Sequence, residues 1–100
     1  MNDYKLILPD QFDKYASDVE LKGWFSDAIA VIDGNRYRLT FYDQVRLNQD
    51  IEEELKTSAV FFEPNILVIR SVNREYMERA VENVARNSNY FNLVIDRESG

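Results

Sequence analysis

The chain has 100 residues, of which 45% are hydrophobic and 13% are aromatic, and its formal net charge is −6. This length and composition predict a single globular domain, residues 1–100, with a core that needs no disulfide. Because cysteine and histidine are both absent, disulfides, ordinary zinc sites and nucleophile pairs that depend on histidine are excluded.

The first twenty residues predict a short strand followed by a short helix. The strand covers residues 3–8 and ends at Pro9, and the helix covers residues 9–17 with Asp10 as a candidate N-cap. Apolar residues at helical spacing support this helix: Phe12, Tyr15, Ala16 and Val19.

Residues 24–47 predict a long β-hairpin around Asp33-Gly34-Asn35, because alternating apolar and polar residues flank this turn signal. A turn at Asp33-Gly34 pairs Ala30 with Tyr37, whereas a turn at Gly34-Asn35 pairs Ala30 with Leu39. Both registers place the same residues on the first face: Ala28, Ala30, Ile32, Tyr37, Leu39 and Phe41. The second face is predicted to carry Phe25, Ile29, Val31, Arg36, Arg38, Thr40 and Tyr42.

Arginine and apolar residues are mixed on this second face. Arg36, Arg38 and Arg46 are either a grip for an anion or a solvated strand surface whose stems cover Ile29 and Val31. Such a mixture also suits a protein interface. Either another element of the chain or a partner therefore covers this face.

Asp43 interrupts the apolar side of the predicted strand. A bulge after Tyr42 would turn its carboxylate outward. A buried carboxylate paired with an arginine and poised for function is the alternative.

Residues 48–58 predict an acidic helix with Asn48 or Asp50 as the cap, and Glu52, Glu53 and Glu54 in the first turns. The cluster from Asp50 to Glu54 is either ordinary helix surface, a docking patch for a basic partner or a metal site. The loop pattern of an EF-hand calcium site is absent.

The last forty residues predict strands at 59–62 and 65–70, a main helix at about 73–87 and a final strand at 90–95. The apolar run at 66–69 predicts a strand covered on both faces. The last strand–helix–strand series suggests a parallel crossover. The predicted fold is therefore α+β: a mixed, mostly antiparallel sheet with the main helix on one face and two short helices.

These observations favour a small, non-enzymatic protein-binding module without a cofactor, catalytic residue or metal site. We expect an inhibitor or immunity-type protein that neutralises a basic partner such as a toxin, because the acidic chain disfavours nucleic acid and anionic membranes. The candidate partner-binding residues are Ile29, Val31, Arg36, Arg38, Tyr42, Asp50, Glu52, Glu53 and Glu54.

Two alternatives differ in class. One is a homo-oligomeric structural or regulatory subunit, such as a homodimer, that uses the second face of the hairpin. The other is a carboxylate-based enzyme around Asp43. The chain start shows neither a signal peptide nor a membrane-spanning run, so we expect a cytoplasmic location.

Overall fold

A computed structural model describes residues 3–87 and 93–95 of the chain. Within these residues, four strands form one sheet in the order β1-β2-β3-β4, and three helices accompany it. The elements in chain order are β1 Tyr4–Ile7, α1 Phe12–Lys22, β2 Trp24–Ile32, β3 Asn35–Tyr42, α2 Gln44–Leu55, β4 Ile66–Val68 and α3 Arg74–Arg86. The predicted α+β architecture is confirmed.

The hairpin of β2 and β3 has the first of the two predicted registers, with Ala30 opposite Tyr37. Its turn residues Asp33 and Gly34 have φ values of 50° and 87°. This left-handed geometry is typical of two-residue hairpin turns, in which the twist of the turn matches that of the strands. All six residues predicted for the first face are buried: Ala28, Ala30, Ile32, Tyr37, Leu39 and Phe41.

A β-bulge between Phe25 and Ala28 corrects one part of this prediction. The bulge adds one residue to β2, and an added residue reverses which face the preceding residues occupy. Phe25 therefore joins the core, where its ring meets Phe12 edge-to-face at a centroid distance of 5.2 Å. Trp24 then lies opposite Tyr42.

The second strand of the hairpin ends at Tyr42 rather than continuing to residue 47. Asp43 is the N-cap of α2, and its carboxylate accepts a hydrogen bond from the Arg46 backbone N–H at 2.7 Å. The predicted bulge after Tyr42 is therefore wrong, and the half-buried Asp43 carboxylate caps a helix. Aspartate is a strong N-cap because it satisfies an N–H group that the helix leaves unpaired.

The early start of α2 changes the connection between the strands. β3 and β4 are parallel, with Phe41 opposite Leu67, and α2 lies in the crossover between them. The predicted crossover through the main helix requires the strand at 90–95. Residues 90–92 of that strand lie outside the described residues, and residues 93–95 are not a strand.

Two other predictions in this region are wrong. Residues 59–62 do not form a strand, and the Ser58 hydroxyl closes a local turn at their start by donating to the Val60 carbonyl at 2.9 Å. The apolar run at 66–69 is not covered on both faces, since Val68 is about half exposed on β4, the edge strand of the sheet.

The first helix is longer than predicted and has a different start. It begins after Gln11, so Asp10 is not its N-cap, and it ends at Gly23, whose N–H donates to the Val19 carbonyl at 2.9 Å. The helix continues past residue 17 because Val19 extends the apolar spacing into the core.

The main helix agrees with its prediction. Asn73 caps α3 by accepting a hydrogen bond from the Tyr76 N–H at 2.9 Å. The helix buries Met77, Val81, Val84 and Ala85 in the same core cluster as the first face of the hairpin.

The two i,i+4 pairs of α3 form on its other side. Glu75 to Arg79 is 3.7 Å, and Glu82 to Arg86 is 2.9 Å.

Candidate functional site

The second face of the hairpin is covered near Tyr42 by α2 and by the segment that follows it. The Tyr42 hydroxyl lies 3.1 Å from Asp50 Oδ2 and 3.2 Å from Glu63 Oε2. A neutral phenol has one hydrogen, so Tyr42 donates to one of the two carboxylates at a time. One tyrosine on the sheet thereby holds both the middle of α2 and the end of the segment after it.

Burial raises the pKa of the Tyr42 phenol well above its ordinary value. The hydrogen bond to Asp50 and the negative charges of Glu63 and Asp50 raise this pKa further. The phenol is therefore protonated at neutral pH, and its environment favours a hydrogen-bond donor rather than a base.

Arg46 joins three elements from the first turn of α2. Its Nε lies 2.9 Å from Asp50 Oδ1, and its Nη1 donates to the Lys22 carbonyl at 3.1 Å. The guanidinium also lies over the Trp24 ring, 5.6 Å from the centroid. Because the Arg46 guanidinium binds these groups of its own chain, Arg46 does not form an anion-binding group with Arg36 and Arg38.

Of the two alternatives for the second face, cover by another element of the chain holds for two of the three apolar candidate residues. Tyr42 is 2% exposed and Ile29 is 8% exposed, whereas Val31 is half-buried. Tyr42 is buried because α2 begins directly after β3 and turns back across the sheet. The chain itself therefore buries most of the apolar surface that the homo-oligomer hypothesis assigned to a symmetric interface.

The remaining hairpin candidates lie on β3 beside these residues. Arg38 is exposed opposite Ile29, and Arg36 is half-buried opposite Val31. The structure thus separates the predicted partner-binding residues into a mostly covered hairpin group and an acidic group on α2.

The acidic group divides between the two sides of α2. Asp50 turns inward to Tyr42 and Arg46, whereas Glu52, Glu53 and Glu54 are exposed. They occupy the last turn of α2 rather than its first turns, because the helix begins at Gln44. Among residues 3–87 and 93–95, no group of three or more carboxylates is placed to hold a metal ion.

Asp43 has a structural role in this fold. The carboxylate of Asp43 is engaged as the helix cap and packs against Gly23, where a Cβ atom would meet it. Sequence reasoning missed this role, although Leu47, Ile51 and Leu55 recur every four residues after Asp43 and indicate an earlier helix start.

Sequence reasoning also missed an exposed apolar segment after α2. Val60 and Phe62 are 61% and 83% exposed. The run of Ala59, Val60, Phe61 and Phe62 is typical of a strand, so the sequence carried no signal for this exposure.

Comparison with known proteins found no matching family model, no matching curated protein and no matching solved structure. In the described part of the chain, every helix is too short or too polar to cross a membrane.

Proposed function

We propose that this chain is a small, acidic, non-enzymatic protein-binding module that neutralises a basic partner in the manner of an inhibitor or immunity-type protein. A basic toxin is the kind of partner we expect, and the cytoplasm is the expected location. The carrying observation is that Glu52, Glu53 and Glu54 are consecutive, exposed and at the end of one helix.

The local charges support this proposal. Lys56 is the one cation among residues 50–58, and its Nζ lies 3.0 Å from Glu53 Oε2. An exposed pair of this kind contributes little to folding. The charge of these glutamates is therefore available for association, where it can accelerate the encounter with a positive surface.

The helix dipole also supports a role outside folding. Negative charge at the C-terminal end of a helix opposes the dipole, so the glutamates do not stabilise α2 by this mechanism. The composition of the whole chain is consistent with binding rather than catalysis, because histidine and cysteine are absent.

Affinity capture with two matched variants tests the proposal. The first replaces Glu52, Glu53 and Glu54 with glutamine, and the second replaces Glu75, Glu78 and Glu82 of α3 with glutamine. Both variants change the net charge equally and alter one helix surface each. Proteins retained by the wild type and the α3 variant, but lost from the α2 variant, should be basic.

Stopped-flow association with the purified partner completes the test. The association rate of the wild type should fall steeply as salt rises, and the α2 variant should associate more slowly with a flatter salt dependence. Activity of the partner should be lost when the chain binds. Equal capture and equal rates for the two variants would contradict the role of the α2 glutamates.

A further inference from the structure

The loop after α2 exposes large apolar side chains while hydrogen bonds restrain both of its ends. This segment, residues 58–63, is called the 58–63 loop below. Val60 and Phe62 lie on it and are 61% and 83% exposed. A single exposed apolar residue is ordinary in a folded protein, but two on one short loop form a local feature.

Hydrogen bonds hold the loop at both ends. At the first end, the Ser58 backbone N–H donates to the Glu54 carbonyl at 2.9 Å, and the Ser58 hydroxyl accepts from the Val60 N–H at 3.3 Å. At the other end, the Glu63 carboxylate accepts from the Tyr42 hydroxyl at 3.2 Å. Restraint of this kind lowers the entropy cost of binding a partner.

The same contacts place the loop beside α2. Asp50 and Glu63 both reach the Tyr42 hydroxyl, so the loop leaves the end of α2 and returns to the level of its middle turn. The loop also starts at the glutamate segment itself, because the Ser58 backbone N–H donates to the Glu54 carbonyl at the end of α2. Leu55, about half exposed, adds apolar surface next to those glutamates.

Charge decides which occupant suits this surface. A second copy of the chain would bring the glutamates of one copy towards those of the other, which is unfavourable. A partner that combines cations with apolar side chains satisfies both halves of the surface. Amphipathic helices with lysine or arginine on their polar face have this combination.

We propose that the 58–63 loop and the α2 glutamates 52–54 form one docking surface for a cationic amphipathic helix of the partner. Phe62 is the apolar anchor, and the glutamates contact the cations that flank the apolar face. This inference rests on the proposed function and specifies the chemistry of the partner.

The test uses two synthetic peptides of lysine and leucine as probes. One, of about 14 residues, places leucine on one helical face, and the other has the same composition in a scrambled order. Binding to the whole chain is measured by titration calorimetry at low and moderate salt. The wild type should bind the amphipathic peptide at least about tenfold more tightly than the scrambled one, which corresponds to about 1.4 kcal/mol.

Two serine variants then locate the apolar contact. Phe62→Ser should weaken binding of the amphipathic peptide about tenfold and leave binding of the scrambled peptide unchanged. Leu21→Ser is the matched control, because Leu21 is 86% exposed on α1, and it should bind both peptides as the wild type does. Circular dichroism of each variant checks that the fold is retained.

Four results would overturn the docking surface. Equal affinity for the two peptides, or equal effects of Phe62→Ser and Leu21→Ser, would remove the apolar anchor while leaving the proposed function intact. If replacement of Glu52, Glu53 and Glu54 with glutamine left the affinity for the amphipathic peptide unchanged, the glutamates would not belong to the same docking surface as the loop. Light scattering that shows a dimer in the wild type and a monomer in Phe62→Ser would assign the loop to a second copy.

Discussion

Gly23 and Asp43 are in direct contact where the end of α1 meets the start of α2. The Asp43 backbone N–H donates to the Gly23 carbonyl at 2.9 Å, and a Cβ atom at position 23 would lie 2.6 Å from Asp43 Cγ. Gly23 also has a φ of 71°, which an L side chain rarely adopts. The glycine is therefore required both by its backbone conformation and by the space that the carboxylate occupies.

Gly23→Ala should lower the free energy of unfolding by about 2 kcal/mol or more, because it combines backbone strain with displacement of the α2 cap. Gly34→Ala is the control, since Gly34 has a φ of 87° but open space around it. Gly34→Ala should lower the free energy of unfolding only by the cost of the left-handed backbone conformation, about 1–2 kcal/mol. Urea denaturation of both variants measures the difference, and equal losses would mean that the contact with Asp43 relaxes without cost.

Tyr42→Phe should destabilise the chain by about 1–3 kcal/mol at neutral pH. The substitution removes the donor that the Asp50 and Glu63 carboxylates share and leaves two negative groups close together. Tyr4→Phe, at an exposed position on β1, should change the free energy of unfolding by no more than about 0.5 kcal/mol. Similar stabilities for the two variants would contradict a structural role for the Tyr42 hydroxyl.

The raised pKa of Tyr42 predicts a loss of stability at alkaline pH. The unfolded chain releases this proton near pH 10, whereas the folded chain retains it to higher pH. Its contribution is therefore complete below pH 10 and falls by about 1.4 kcal/mol per pH unit above it. The difference in unfolding free energy between wild type and Tyr42→Phe should shrink in urea titrations as pH rises above 10, and a constant difference would refute the shift.

Val81→Asp should lower the free energy of unfolding by about 3–5 kcal/mol, because it leaves a buried charge without a partner. Val81 is 1% exposed in the core between α3 and the sheet. Asn83→Asp adds the same charge to an exposed position of α3 and should stay within about 0.5 kcal/mol of the wild type. Thermal and urea unfolding of the two variants would show any deviation from this order.

Replacement of Glu52, Glu53 and Glu54 with glutamine should raise the free energy of unfolding slightly, by about 0.5 kcal/mol at low salt. If these residues lay in the first turn of the helix, the same replacement would lower the free energy of unfolding. The gain arises because negative charge is removed from the C-terminal end of α2, and loss of the Glu53–Lys56 pair offsets part of it.

The matched variant with glutamine at positions 75, 78 and 82 should lose stability, because Glu75 lies in the first turn of α3 and two ion pairs are removed. Chemical denaturation at low and high salt distinguishes the two variants. Both differences should diminish at high salt, where surface charge is screened.

The acidic surface could be predicted in part. Three consecutive glutamates on a short helix cannot all face a core, so their exposure followed from the sequence. Their position in the last turn did not, because it depends on whether residue 43 continues a strand or caps a helix. The exposure of the Phe62 side chain could not be predicted, because an apolar run of this kind is equally typical of a buried strand.

The amino-acid sequence by itself determined a hairpin turn within Asp33-Gly34-Asn35, the first face of that hairpin and the position of α3. These features depend on residues a few positions apart, so turn geometry, capping and apolar spacing specify them before the chain folds. Only the tertiary structure decided the bulge before Ala28, the path of α2 across the second face and the parallel pairing of β3 with β4. One inserted residue reverses the faces of a strand. One aspartate fits either a strand or a helix cap. Because such alternatives have similar local energies, packing between distant segments selects between them.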